Sequence, residues 1–218
     1  MTPQQCNHLI TTAESLKFKS LKSEYPSWYR YNERILLRCP RLAKEIWEAI
    51  QPLFTMKDLQ HRRPYGFNNE GYWKPVRLNE VFRVSKYCKG GYFRKHIDGN
   101  FLYSEDLRSI FSVVIYLNSP QQGGETQLNM EKEVLVSPVA GTGLIFNHDL
   151  PHSSLAVKEG EKYIIRTEIL FQRTDYGFCV NPGAFKSNPA YLKVLSMFDE
   201  AQSYEESGDV EKSLSLYL

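Results

Sequence analysis

No CxxC pair occurs in this chain. Its four cysteines, Cys6, Cys39, Cys88 and Cys179, are widely scattered, which favours free thiols in a reducing compartment over disulfides. The absence of any Asn-x-Ser/Thr sequon agrees with that. No apolar run reaches the ~18 residues that a membrane span needs. The opening MTPQQCNHLITTAESLKFKS lacks the long apolar core of a signal peptide. The expectation is a cytoplasmic or nuclear chain with no membrane contact. A large charge excess is also missing. A net charge of +2 makes no electrostatic case for nucleic acid or an anionic surface.

Aromatic residues are plentiful, with 14 Tyr, 12 Phe and 3 Trp. Such a supply serves a large core or a substrate groove, and the core is the default. The 218 residues, 42% hydrophobic and 24% charged, fit one soluble globular domain with an appendage.

The first sixty or so residues read as helical. Leu9, Ile10, Ala13, Leu16 and Leu21 approximate one stripe, and Pro40 to Leu53 carries a second with Pro40 in its first turn. From about Arg62 to Gln172 the pattern turns to short β-rich runs, punctuated by Gly90-Gly91, Gly123-Gly124, Gly141-Thr142-Gly143 and Glu159-Gly160. The predicted strands are 81–87, 93–97, 110–117, 125–128, 133–137, 143–147, 153–157 and 162–172. Many short strands at regular spacing indicate a sandwich or jelly roll. The segment Arg62–Leu78, with Tyr65, Phe67, Tyr72 and Trp73, suits either a mobile substrate-covering loop or packing beneath the barrel. Tyr176 to Asn188 reads as loop. Helices follow over 190–207 and 210–218, broken at Gly208-Asp209. Their spacing resembles the helix–turn–helix junction of a tetratricopeptide repeat, or is a plain helical hairpin.

The chemistry concentrates at His96-Ile97-Asp98. On an extended chain, residues two apart point to the same face, so an imidazole and a carboxylate aim at one point. His152 arrives 54 residues after Asp98. Two histidines and one carboxylate form the facial set of non-haem iron(II) oxygenases, leaving open positions for a co-substrate and O2. His148 competes with His152. Pro151 argues against an i,i+4 helical pair, and the spacing to Lys162 favours His152.

Several spaced blocks carry a family resemblance. Tyr87-x-x-Gly90-Gly91-x-Phe93-x-x-His96-x-Asp98, Ile115-Tyr116-Leu117-Asn118 before Gly123-Gly124-Glu125-Thr126, and His152 before Gly160-x-Lys162-Tyr163 together resemble the prolyl 4-hydroxylase branch of the 2-oxoglutarate-dependent oxygenases. The resemblance spans residues 1 to about 172. It implies a mainly β, α+β fold: a double-stranded β-helix, or jelly roll, with N-terminal supporting helices and a short C-terminal helical extension. The oxygenase domain would occupy 1–175 and the extension 176–218. His96, Asp98 and His152 would bind Fe(II). The cofactor-binding residues would be Lys162, Tyr116, Tyr87 and Arg166, with Lys162 and the Tyr116 phenol on the far carboxylate of 2-oxoglutarate. O2 would complete the set, with ascorbate as reductant.

Two positions depart from the family pattern. Arg166 stands where many relatives carry a smaller residue. It shares a strand face with Lys162, Ile164 and Glu168, and an arginine there needs a partner such as Glu168, Asp149 or a ligand carboxylate. Phe93 replaces the tyrosine of collagen-type and oxygen-sensing relatives. The leading expectation is hydroxylation of a prolyl residue in a peptide or protein, with 2-oxoglutarate converted to succinate. The alternatives are a free amino acid, a small metabolite or another side chain as target, a nucleic-acid dealkylase of the same fold, or a non-catalytic binding module.

Overall fold

In this computed structural model, residues 1–55, 59, 61–66, 68–175 and 187–217 are described. Thr2 and Gln5 exchange capping-box hydrogen bonds and start helix α1 (Pro3–Ser15). Three short strands follow: β1 (Lys19–Ser20), β2 (Arg30–Tyr31) and β3 (Glu33–Arg38). Helix α2 (Pro40–Ile50) opens on a first-turn proline. Then come β4 (Tyr72–Leu78), β5 (Val81–Tyr87), β6 (Tyr92–His96), β7 (Leu102–Ser104) and β8 (Leu107–Tyr116). After them lie β9 (Gln122–Gly123), β10 (Thr126–Asn129), β11 (Glu133–Val136) and β12 (Gly143–Asn147). The last strands are β13 (His152–Ser154), β14 (Val157–Glu159) and β15 (Lys162–Asp175). Helices α3 (Pro189–Ser207) and α4 (Val210–Tyr217) close the chain, hinged at Gly208 with φ 79°. No described helix is long and apolar enough to cross a membrane.

The strands build a jelly roll from two antiparallel sheets. The larger runs β1-β3-β5-β15-β8-β12, with β4 also on β15 and β7 on β8. The smaller runs β11-β10-β13-β6-β2. Alternation along the three central strands sorts the side chains between two faces. Phe82, Val84, Val113, Ile115 and Ile165 face α1 and α2 and pack with Cys6, Ala13, Ala43 and Ile46. Their neighbours Arg83, Ser85, Tyr87, Val114, Lys162 and Arg166 line the hollow between the sheets. The helices therefore hold one face dry while the other is free to carry chemistry. Phe82, 0% exposed, sits in that dry layer. Phe82→Ala is expected to cost about 3–5 kcal/mol, read as a lower urea midpoint.

The structure departs from the sequence reading in two places. Residues 16–39 of the stretch read as helical hold no helix. Glu33–Arg38 is a strand because it pairs along β5 in full register, Glu33 opposite Lys86 through Arg38 opposite Val81. Glu, Arg and Leu favour a helix, but the sheet partner overrides that local preference. The second is the aromatic lid. Tyr72–Leu78 is β4, paired to β15, and Trp73 is 4% exposed in the core. Tyr65 remains exposed, and Phe67 lies outside the described residues. So do Cys179 and 176–186 of the expected loop; Cys6, Cys39 and Cys88 are free thiols.

α3 packs against the barrel. Ala201 is fully buried, and Gln202 Nε2 donates to the Leu102 carbonyl at 2.7 Å.

Candidate metal and co-substrate site

His96 ends β6 and His152 begins β13. These strands are antiparallel neighbours, and the two histidines are directly opposite in register. That pairing cancels their separation in sequence. Asp98 follows two residues after His96, its backbone N–H held by the His148 carbonyl at 3.0 Å. The ligand atoms of His96, Asp98 and His152 lie within 4.8 Å of one another.

Hydrogen bonds dictate which atoms face inward. His96 Nδ1 lies 2.7 Å from the Arg94 carbonyl, and His152 Nδ1 lies 3.0 Å from the Leu150 carbonyl. A carbonyl only accepts, so each Nδ1 carries a proton and each Nε2 is the atom left to face a ligand. Each Nε2 sits 3.8 Å from an Asp98 oxygen, His96 facing Oδ1 and His152 facing Oδ2. That spacing is too long for hydrogen bonds and leaves room for an ion among them. Burial, reinforced by His152, pulls the His96 imidazole down to about 4, so it is neutral at physiological pH. Burial opposes ionisation of Asp98, but Arg166, His152 and the Ser112 hydroxyl outweigh it and hold the carboxyl at about 2. Two imidazoles that turn Nε2 inward and one anionic carboxylate are the donor set that suits iron(II).

A relay behind Asp98 was not legible in the sequence. The Phe101 N–H donates to Ser109 Oγ at 2.7 Å, and Ser109 donates to His148 Nε2 at 2.7 Å. His148 Nδ1 then donates to Ser112 Oγ at 3.0 Å, and Ser112 donates to Asp98 Oδ2. Donor bookkeeping makes this direction the consistent one. His148 is thus a buried neutral orienter, pulled down to about 4 by burial, and stands outside the ligand cluster. Arg166 Nε also donates to Asp98 Oδ2, at 3.0 Å, while its Nη2 is 3.5 Å from Glu168. Glu168 is in turn held by Asn79 at 2.9 Å and Arg83 at 2.7 Å. Oδ1 accepts nothing from the described residues and is free for a ligand. Ser112→Ala is expected to weaken metal affinity about 10–100-fold, measured by metal titration.

Lys162, 1% exposed, reaches into the same cavity of about 300 Å³. Its ammonium donates to the Gly124 carbonyl at 2.8 Å and to Ser154 Oγ, and lies 4.5 Å over the Tyr87 ring. Gly124 adopts φ +78°, and a Cβ there would stand 3.2 Å from Lys162 Cδ, so the Gly-Gly turn shapes the lysine's seat. No described carboxylate pairs with this lysine. Burial lowers it to about 7 against the opposing pull of Glu125. Tyr116 is buried, and its hydroxyl donates to Thr126 Oγ1 at 2.6 Å. Thr126, not Tyr116, lines the cavity.

Comparison with known proteins agrees with this geometry. The model of the 2OG-Fe(II) oxygenase superfamily matches residues 82–167, which contain all three clustered residues and Lys162. Residues 82–167 thus resemble the 2OG-Fe(II) oxygenases, a family that implies Fe(II), 2-oxoglutarate and O2.

Solved structures of prolyl hydroxylases share its fold. The collagen prolyl hydroxylase of Paramecium Bursaria Chlorella virus-1, solved with 2OG, is 20% identical over 78% of this chain and 91% of its own, with a TM-score of 0.52. A Pseudomonas putida prolyl-4-hydroxylase is 17% identical over 79% and 89%, with a TM-score of 0.55. A Trichoplax adhaerens prolyl hydroxylase, in complex with a hypoxia inducible factor oxygen degradation domain peptide fragment, is 17% identical over 76% and 74%, with a TM-score of 0.52. At these identities the likeness speaks for the fold. No curated protein matches the sequence.

Proposed function

We propose that this chain hydroxylates a prolyl residue in a peptide or protein. His96, Asp98 and His152 hold Fe(II), and Lys162 anchors the far carboxylate of 2-oxoglutarate. The observation that carries the reading is the convergence of two imidazole nitrogens and a carboxylate oxygen within 4.8 Å, beside a buried lysine with no counter-ion among the described residues. The oxygenase is assigned to residues 1–175, with α3 and α4 as an appended helical pair.

When bound, iron(II) and 2-oxoglutarate supply the oxidising power: the keto acid loses CO2 and becomes succinate, taking one atom of O2, and the other enters a substrate C–H bond. The chain's own residues bind and orient. Arg166 and the Ser112 relay fix the Asp98 carboxylate so that Oδ1 faces the histidines. Phe93 stacks on His96 with ring centroids 3.6 Å apart, and Phe146 meets His152 edge-on at 4.6 Å. These rings lock both imidazoles and exclude water from their flanks. Tyr87 and Thr126 wall the lysine end of the cavity. Ascorbate serves as reductant, and the cytoplasm or nucleus supplies the reducing setting.

The test is incubation with Fe(II), 2-oxoglutarate and a cell lysate, followed by mass spectrometry of peptides that gain one oxygen atom. The reading predicts oxygenated proline that depends on His96. Turnover driven only by free amino acids, or oxygenation of other residues alone, would replace the prolyl assignment.

A further inference from the structure

Arg30 is 9% exposed and lines the cavity beside the His-Asp-His set. It sits on β2, the edge strand of the smaller sheet, opposite Phe93 of β6. Its guanidinium lies 4.2 Å from the Phe93 ring centroid and 5.3 Å from that of Tyr25. Phe93 is the same ring that stacks on His96. Arg30 is therefore one aromatic ring away from a metal-site histidine. Its Nε donates to Asn32 Oδ1 at 2.6 Å, and its terminal nitrogens have no acceptor among the described residues.

The other cations lining the cavity are matched. Arg34 pairs with Glu24 at 2.8 Å, Arg83 with Glu168 at 2.7 Å, and Arg166 with Asp98 at 3.0 Å. Lys162 is reserved for the co-substrate. Arg30 has no described carboxylate within ion-pair distance. Besides burial, its electrostatic surroundings are the cations Arg34 and Arg166 and the phenols Tyr87 and Tyr25. A desolvated cation without a counter-ion is costly unless something supplies the anion. A guanidinium with both Nη groups free matches the two oxygens of one carboxylate.

We propose that Arg30 receives a carboxylate of the substrate, so that this enzyme selects a target residue with an acidic group beside it. The proposal rests on the hydroxylase reading and adds the substrate class. The carboxylate belongs either to a neighbouring Asp or Glu side chain in a peptide or to a free amino acid, and the experiment separates the two.

The protein is loaded with Mn(II) and N-oxalylglycine, a non-reacting isostere of 2-oxoglutarate. Binding is then measured for matched peptides with Glu-Pro or Gln-Pro at the centre, for Glu-Ala, and for free glutamate and proline. The Glu-Pro peptide is expected to bind about 10–100-fold tighter than Gln-Pro. Arg30→Met should abolish that difference while N-oxalylglycine affinity holds and the melting temperature does not fall, and Arg30→Lys should retain part of it. A preference seen only with free amino acids, and lost in Arg30→Met, assigns the carboxylate to a small substrate. Equal binding of Glu-Pro and Gln-Pro to the wild type, or binding of no carboxylate probe, overturns the proposal without need of a variant. So does an Arg30→Met protein that loses N-oxalylglycine instead. The prolyl reading fails separately: Glu-Ala would then bind through Arg30 as well as Glu-Pro, and no proline would gain oxygen.

Discussion

Asp98→Ala ends succinate formation and iron binding together. Asp98 contributes the anionic donor of the cluster, and its Oδ1 accepts no hydrogen bond from the described residues. Losing it leaves two imidazoles beside Arg166, now deprived of its closest carboxylate at 3.0 Å. A cation facing the metal position repels a second one, so the loss exceeds simple removal of a ligand. The expected fall in metal affinity is more than the ~10–100-fold typical of outer-sphere partners. His96→Ala and His152→Ala produce the same phenotype. Metal titration followed by calorimetry reads the affinity, and succinate assay reads turnover. An Asp98→Ala protein that binds iron as the wild type does would contradict the assignment.

Lys162→Met has two opposite effects. Truncating one partner of a buried charge pair costs about 2–5 kcal/mol, which raises the 2-oxoglutarate requirement roughly thirty-fold or more. Without co-substrate, the same change should raise the melting temperature, because a buried ammonium with no counter-ion among the described residues is replaced by a side chain of similar shape. The pH dependence follows from the depressed value. Burial lowers Lys162 from 10.5 to about 7, with only Glu125 pulling it back, and the Tyr87 phenol faces it from β5. Between these values the unfolded chain holds a proton that the folded chain lacks. Stability of the ligand-free protein therefore gains with pH across that window. Binding of the 2-oxoglutarate dianion restores the proton, so its affinity weakens as pH climbs above about 7. Lys162→Met loses both dependences. Urea unfolding and 2-oxoglutarate binding at several pH values check the pair. A pH-independent affinity in the wild type would mean that the lysine is fully charged before ligand arrives.

The site was legible in sequence where it depends on local spacing. His96 and Asp98 share a face because they are two apart on an extended run, and Lys162 sits on the inward row of β15 with Arg166 and Glu168. Only one of the two partners of Arg166 was legible. Glu168 follows from the same alternation, but Asp98 comes from across the barrel, through a register that only the folded sheet defines. Ser109 and Ser112, and with them the link from His148 to Asp98, escaped for the same reason: isolated serines in an apolar strand carry no motif. Arg30 lay within a stretch read as helical, where its approach to Phe93 could not be anticipated. The fold shows a matching division. Strands with clear alternation and glycine boundaries, such as Val81–Tyr87 and Gly143–Asn147, match their expected limits. Glu33–Arg38 and Tyr72–Leu78 become strands through their pairings with β5 and β15, which no local pattern announces.

Anaerobic titration of the purified protein with Fe(II) in the presence of 2-oxoglutarate tests the central claim most directly, because a ferrous keto-acid chelate absorbs visible light before any turnover. The account predicts a saturable band in the wild type, lost in His152→Ala and shifted to much higher 2-oxoglutarate concentration in Lys162→Met. A band that survives His152→Ala unchanged, or never forms in the wild type, would contradict it.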